Sequence, residues 1–508
     1  VSEFWANALL NSALITVGVT FFSGLVAVPL AWLVERTDLP GIRLLDRLVS
    51  FPYVLPSYLL AISWIVLANP AVGWLNLLAK NLFGTENVFD IYGLGGIVFI
   101  ETTALMPIVY ISFKAGLSQL SPSLEEAGRL AGASPLQVFA RITTPLLKNT
   151  LIASLIAVFL ASIASFGVPA MIGGPGRVFV LTTGLYSLVK QGSLEALNES
   201  FLIAAYMAGF ALFFVLITQK LTARKASVVG GSASRPSLVG LGRWRYPLSA
   251  AIWAFWLALV GLPLAALVLS SFQLDPGSLA PADFGVRQWR YVLFELPDFR
   301  RAIVNSITVA LIAGASVVLL SLFVSIAAWK GHYARSRSRF AARVLEGFSS
   351  LAYSTPGTVL ALVLLFLFAK YPQLGLANTL TALALACSIK YLLLGLKTVE
   401  PAAFLVHPSL IEASRLAGAK SWQRILFIWT PLLKRALWAA AILVFMPVLS
   451  ELTMSILLHG PGTETLGVLL FQLQEYADRT SAAVIGTLLL ACLFVFDLIA
   501  RRSPTSES

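Results

Sequence analysis

The sequence predicts an all-α membrane protein: a polytopic helical bundle of about 11 transmembrane helices in two parallel repeats. Three observations predict it. Of the 508 residues, 58% are hydrophobic and 12% charged, against about 25% charged in a soluble domain. Apolar runs recur, each of the ~20 residues needed to cross a hydrocarbon core of ~30 Å as a helix. And one 27-residue segment occurs twice in closely similar form.

The apolar runs cover 9–34, 48–68, 93–113, 150–172, 200–219, 247–270, 302–329, 347–369, 377–396, 436–458 and 482–500. A helix satisfies its own backbone hydrogen bonds in lipid, so helices are the expected spanning form. Val1 to Asn11 is a short lead into the first span, without the pattern of a signal peptide.

The net charge of +12 is explained by its placement. If the loops alternate sides with 35–47 cytoplasmic, then 114–148, 220–245, 330–343, 397–435 and 501–508 are cytoplasmic too. These segments hold 26 of the 36 Lys and Arg residues. That is the positive-inside signature, and it reads as membrane topology with no nucleic-acid partner. Cys387 and Cys492 fall in or near apolar spans and read as ordinary helix residues. The three histidines are scattered, so neither a Cys nor a His metal cluster is expected.

Residues 122–148 (PSLEEAGRLAGASPLQVFARITTPLLK) and 408–434 (PSLIEASRLAGAKSWQRILFIWTPLLK) share 17 of 27 positions at a gap-free offset of 286. Weaker matches extend the repeat: Asn11-Ser12 with Asn305-Ser306, and Tyr53 and Pro56 with Tyr353 and Pro356. Spans one to five thus correspond to spans seven to eleven in the same direction, a parallel repeat with a substrate path expected between its halves. The domain reading is a first half at 1–219, a cytoplasmic linker at 220–245 and a second half at 246–508. The linker contains Gly230-Gly231, several Ser, and Lys220, Arg224, Lys225, Arg235, Arg243 and Arg245, and reads as flexible. Span six has no partner in the first half. Either that half has five spans or a further helix precedes Val1.

Each repeated segment predicts a helix–turn–helix elbow. Ser123 with Glu126, and Ser409 with Glu412, have capping-box spacing, which starts helices at Leu124–Ala131 and Leu410–Ala417. Gly132 and Gly418 sit where a left-handed helix stop is wanted. Ser134-Pro135 reads as a cap and first-turn proline, and Pro145 and Pro431 mark the approach to the next span. Two copies of one surface in one chain call for a symmetric partner.

Glu126-Ala127-Gly128, Gly132, Ile142 and Pro145, with Glu412-Ala413-Ser414, Gly418, Ile428 and Pro431, resemble the EAA loop of ABC importer permeases. Both copies match its spacing and depart only at the third letter, Gly128 and Ser414 in place of alanine. The resemblance implies a type I ABC importer permease fold in which the loop carries a coupling helix that docks on an ATPase subunit. It implies as partners two copies of that ATPase, a periplasmic substrate-binding protein and the lipid bilayer of the bacterial inner membrane. The fused halves, with PDFRRAIVNSITVAL (297–311), SFGVPAMIGG (165–174) and ELTMSILLHGPGTETLGVLL (451–470), are similar to ferric-iron permeases. Ser165 stands where relatives often have Asp, so thiamine, a polyamine or a phosphonate remains an alternative cargo. No G-x-x-x-x-G-K-[ST] pattern occurs, so ATP hydrolysis is expected in a separate subunit and the chain is not expected to be an enzyme. No cofactor and no resident metal are expected.

Ionisable residues within spans are functional candidates. Glu101 reads either as a pathway residue or as a hydrogen-bonded buried carboxyl. Glu451 and Ser165, related by the 286 offset, are candidate pathway residues. Lys390 reads as a snorkelling side chain and Asp497 as interfacial. Pro52, Pro56 and Pro356 read either as kinks around a pathway or as tolerated membrane prolines. The rival reading, an ion-coupled secondary transporter, calls for a buried acid relay, for which Glu101 is the single candidate. A scaffold or channel would not need the duplicated elbow.

Overall fold

The structure, a computed structural model, describes residues 2–223, 238–276, 278–333, 338–476 and 478–502. Arg224, Lys225, Gly230-Gly231 and Arg235 of the expected linker lie outside them. Among the described residues no β-strand forms.

The chain opens with α1 (Ser2–Arg36), one helix that runs through Pro29. The second span is α2 (Ile42–Ser50) and α3 (Ser57–Ala68). Its arms, Leu44–Tyr53 and Ser57–Ala68, meet at 101°, so the expected continuous span 48–68 is in fact broken. Proline has no N–H and a fixed φ; Pro56, at the N-cap of α3, prevents the first arm from continuing. A short α4 (Trp74–Phe83) precedes the third span, α5 (Leu94–Gln119). The first elbow is α6 (Pro122–Leu130), α7 (Pro135–Val138), a π-turn at Phe139–Thr143 and α8 (Thr144–Leu146). α9 (Lys148–Ile163) leaves it at 74°. It stops short of the expected 172, and Pro169–Gly173 forms a separate π-turn. α10 (Leu181–Gln191) and α11 (Leu194–Ala223) follow.

The sixth span joins α12 (Arg245–Trp256) to α13 (Leu262–Ser270) through a π-turn. After α14 (Arg287–Arg290) comes the seventh, α15 (Pro297–Tyr333). α16 (Ser338–Ser354) and α17 (Gly357–Lys370) repeat the proline break, now at Pro356 and 110°. α18 (Leu380–Phe404) leads into the second elbow: α19 (Pro408–Leu416), α20 (Ser421–Arg424) and a π-turn at Ile425–Trp429. α21 (Thr430–Leu449) ends before the expected 458, and α22 (Ser455–Leu458), α23 (Leu466–Glu475) and α24 (Arg479–Arg502) complete the chain. Among the described residues eight helices are long and apolar enough to cross a membrane, or up to 11 spans if each of the three bent pairs is one.

Two compact units result. The first contains Val1–Gln191, Gly209–Trp289 and Ala477–Thr487; the second contains Gly192–Ala208, Arg290–Tyr476 and Leu488–Ser508. In the first, α1 packs along α5 and α9, and the sixth span packs on α3. There the Trp256 indole N–H donates to the Leu48 carbonyl at 2.7 Å, and that of Trp64 to the Leu259 carbonyl at 3.2 Å. In the second, α15 packs along α18 and α21, the same threesome in repeat.

Candidate functional site

The two elbows share their boundaries residue for residue. α6 and α19, α7 and α20, and the two π-turns each begin and end at the 286-residue offset. The expected capping boxes do not form. The helices start two residues earlier, at Pro122 and Pro408, because proline is preorganised for the first helical position. Ser123 and Ser409 therefore lie inside the first turn. In the second copy the His407 ring takes the cap role and accepts the Ser409 backbone N–H at 3.3 Å.

The stop signals act as expected. Gly132 has φ +89 and Gly418 φ +77, the left-handed region that glycine enters without steric cost. Each is followed by an amide that reaches back across the stop: Ala133 N–H to Gly128 O at 3.1 Å, and Ala419 N–H to Ser414 O at 2.9 Å. This is a Schellman-type closure. α7 then begins in a capping box of Ser134 and Gln137; in the second copy Gln423 accepts the Lys420 amide at 2.7 Å. Both π-turns lie just before Pro145 and Pro431, where the proline ring crowds the carbonyl four residues back and the helix widens.

Gly128 and Ile142 turn out to be one contact. A Cβ on Gly128 would come within 2.5 Å of Ile142 Cδ1, so the end of the Ile142 side chain would have to turn aside to admit one. Ser414 tolerates a side chain at the related place, and its hydroxyl donates to the Ile411 carbonyl at 2.7 Å.

The undersides of the elbows are anchored by different chemistry. In the first, buried Arg36 donates from Nε to Glu125 Oε2 at 2.7 Å and from its second terminal nitrogen to the Leu117 carbonyl at 2.7 Å. Glu125 Oε1 accepts the Thr143 hydroxyl at 2.7 Å. In the second, Ile411 and Trp429 replace Glu125 and Thr143 at the same offset. They pack into an apolar cluster with Trp329, Val399, Val406 and Leu433, and the Trp329 indole donates to the Val406 carbonyl at 3.0 Å.

The outward faces match instead. Leu130 and Leu416, related by the offset, are 90% and 91% exposed. Leu124 with Leu410, and Leu136 with Trp422, form two more exposed pairs. Of the motif residues, Ala127, Gly132, Pro145, Glu412, Ala413, Gly418 and Pro431 are exposed, and Glu126, Gly128, Ile142, Ser414 and Ile428 are partly covered. The motif thus shapes the elbow, while the leucines present its apolar surface. Sequence reasoning passed over these leucines, although Leu130 and Leu416 are identical between copies.

The membrane-buried candidates lie elsewhere in each unit. Glu101 is 1% exposed, and its Oε2 accepts the Ser162 hydroxyl at 2.6 Å. Ser165 lies just past the end of α9 beside the same carboxyl. Glu451 is buried and accepts the Met454 amide, the Ser455 amide and the Ser455 hydroxyl, all at 2.8 Å. Lys390 does not snorkel. It is half-buried, with Nζ donating to the Tyr353 carbonyl at 2.9 Å and to that of Thr355, so it holds the carbonyls freed at the Pro356 break. Among the described residues no three His, Cys, Asp or Glu side chains gather as a metal site.

The matched Asn-Ser pairs have a shared task that sequence alone did not assign. Asn11 donates to the Phe179 carbonyl at 3.0 Å and the Ser12 hydroxyl accepts the Leu181 amide at 2.9 Å. Asn305 donates to the Gly462 and Glu464 carbonyls at 3.0 and 2.9 Å, and the Ser306 hydroxyl accepts the Leu466 amide at 2.8 Å. Each pair fastens the loop that follows the span leaving the elbow of its own unit, after α9 in the first and after α21 and α22 in the second.

The family model described as "Binding-protein-dependent transport system inner membrane component" matches residues 27–228 and 324–504. The ferric transport system permease protein FbpB of Actinobacillus pleuropneumoniae is 24% identical over 99% of this chain and 72% of its own length. The thiamine transport system permease protein ThiP of Escherichia coli is 25% identical over 98% of this chain and 88% of its own. Among solved structures, a bacterial ABC transporter involved in alginate import aligns at TM-score 0.39 and 17% identity. It covers 51% of this chain and 96% of the aligned chain.

Proposed function

The chain belongs to the binding-protein-dependent transport system inner membrane components, multi-pass importer permeases, and on that premise we propose that its cargo is ferric iron and its energy enters through the two elbows. Two copies of a separate ATPase subunit dock on Leu124, Leu130 and Leu136 and on Leu410, Leu416 and Trp422. A periplasmic binding protein delivers the cargo. Closure of the ATPase pair moves both elbows, and the adjoining helices carry that motion to the transport path by alternating access.

The observation that supports this most directly is the matched pair of exposed leucines, Leu130 and Leu416. Each sits on a helix with identical bounds in the repeat. A large apolar side chain held out at the same place twice suits two copies of one apolar socket. The iron assignment is supported by the FbpB similarity across nearly the whole chain. Iron is cargo in this reading and needs no resident ligand cluster.

The test replaces Leu130 and Leu416 together with Asp. Membrane insertion should persist, while co-purification of the ATPase subunit and ATP hydrolysis stimulated by the binding protein should be lost. Undiminished ATPase association would refute the docking assignment. Uptake of iron(III) by the reconstituted complex tests the cargo.

A further inference from the structure

The 286-residue offset relates more than the elbows. α5 begins at Leu94 and α18 at Leu380; α9 ends at Ile163 and α21 at Leu449. Positions 101, 104 and 165 therefore correspond to 387, 390 and 451. Each half carries one buried carboxylate here, at alternate positions: Glu101 on the helix of the first, Glu451 after the helix of the second. The residues left over are Ser165 and Cys387.

The two carboxylates are not equally provided for. Glu451 has three hydrogen-bond donors, and the Lys390 ammonium lies close enough to act on it electrostatically. Glu101 accepts the Ser162 hydroxyl on Oε2, with the Ser165 hydroxyl near enough to act on the same carboxyl. Its Oε1 is buried without a hydrogen-bond partner. At the position of Lys390 the first half has Ala104. Among the described residues Glu101 makes no ion pair.

Polar groups gather beside it where α9 ends. α9 stops at Ile163, within the apolar run 150–172, before the π-turn at Pro169–Gly173. Irregular backbone is tolerated at that depth where protein or a water-lined cavity covers it. The C-terminal end of a helix carries partial negative charge. Hydroxyls of Ser162 and Ser165 stand beside it, and the Ser165 carbonyl accepts from Thr182 at 2.6 Å. Broken membrane helices of this kind hold cations at their C-terminal ends. The second half meets the same need internally, with Lys390.

We infer that Glu101, with Ser162 and Ser165, is a cation-binding site of the first half, and that the cation it takes is the transported cargo. The inference rests on the permease reading and narrows it to positively charged substrates. A cation suits the Glu101 carboxylate; an oxyanion does not.

The test uses the complete complex of permease, ATPase and binding protein in liposomes, with iron(III), thiamine and sulfate as probes. Glu101→Gln keeps the size of the side chain and the acceptor for Ser162. It should raise the half-saturating concentration of cation uptake at least tenfold while ATPase association stays at wild-type level. Ala104→Lys supplies the missing ammonium and should have the same effect. Its thermal midpoint in detergent shows that it folds, and Glu101→Gln stands alone if it does not. Unchanged uptake by Glu101→Gln overturns the proposal, as does wild-type uptake of sulfate without either cation. Sodium-dependent uptake that Glu101→Gln makes sodium-independent would assign the site to a resident ion and overturn the cargo role. Failure of the wild-type chain to bind the ATPase would instead overturn the permease reading.

Discussion

Arg36 and Glu125 lie 89 positions apart in sequence and meet at 2.7 Å with both side chains almost fully buried. The pair ties the end of the first span to the underside of the first elbow. Taking two charges out of water is costly, and a buried pair is stable only when hydrogen bonds satisfy what remains. Leu117 O and Thr143 Oγ supply those bonds.

Removing one partner should therefore be worse than removing both. Glu125→Ala leaves a buried guanidinium and should cost ~3–5 kcal/mol, read as a fall in the thermal midpoint of the purified protein. Arg36→Met with Glu125→Leu imitates the apolar solution of the second elbow and should recover most of the loss. A double variant as unstable as the single one would show that the charges themselves are required.

Gly128→Ala places a methyl against Ile142 Cδ1. The end of the Ile142 side chain can turn aside, so the cost should fall near the low end of the ~1–3 kcal/mol of overpacking. Ile142→Val removes the colliding atom, so the double variant should be more stable than Gly128→Ala alone. Such coupling between touching residues is measurable in a double-mutant cycle. Strict additivity would contradict the contact.

Gly418→Ala and Gly132→Ala each put a side chain at positive φ, at a cost of ~1–2 kcal/mol. Because the helix stop sets where the following helix points, stimulated ATP hydrolysis should fall more than stability does. Gly418→Asn enters the left-handed region more readily than alanine and should retain more coupling. Equal loss in both variants would place the effect elsewhere than in φ.

Asn305→Leu strips donors from the Gly462 and Glu464 carbonyls. These carbonyls are only partly covered, so each lost bond costs about 0.5–1.5 kcal/mol, and amide exchange across 460–466 should quicken by roughly three- to tenfold. Asn11→Leu removes a single bond, to Phe179, and should have the smaller effect on 175–181. The reverse order would refute the latch.

What was legible in the sequence follows the range of the physics involved. The gap-free repeat located both elbows, and Gly132 and Gly418 marked their stops, because a left-handed backbone is a local demand that one residue type meets. Pro56 and Pro356 left a kink and a tolerated proline equally open, and the breaks of 101° and 110° fall inside runs that read as continuous spans. The helix starts were misplaced by two residues because two local signals competed, and the first-turn proline prevailed over the serine. Lys390 was read as snorkelling because its stem is long enough to reach an interface; that freed carbonyls at Tyr353 and Thr355 hold it depends on a neighbouring helix. The Arg36–Glu125 anchor and the Ile142–Gly128 contact are tertiary and left no periodic trace. The exposure of Leu130 and Leu416 inverts the usual rule for leucine, so composition argued against noticing them.

The differing anchors carry a consequence for how the duplicated segments can vary. Seen from below, the elbows are keyed. Writing residues 122–148 into the place of 408–434 would bring a carboxylate and a threonine into the tryptophan cluster, with no guanidinium to meet them. The converse exchange would strand Arg36 opposite isoleucine. Seen from outside, the same exchange would leave the leucine at 130 or 416 where it was. A chimera should thus keep its partner and lose its footing. The repeat is interchangeable as an address and not as a foundation.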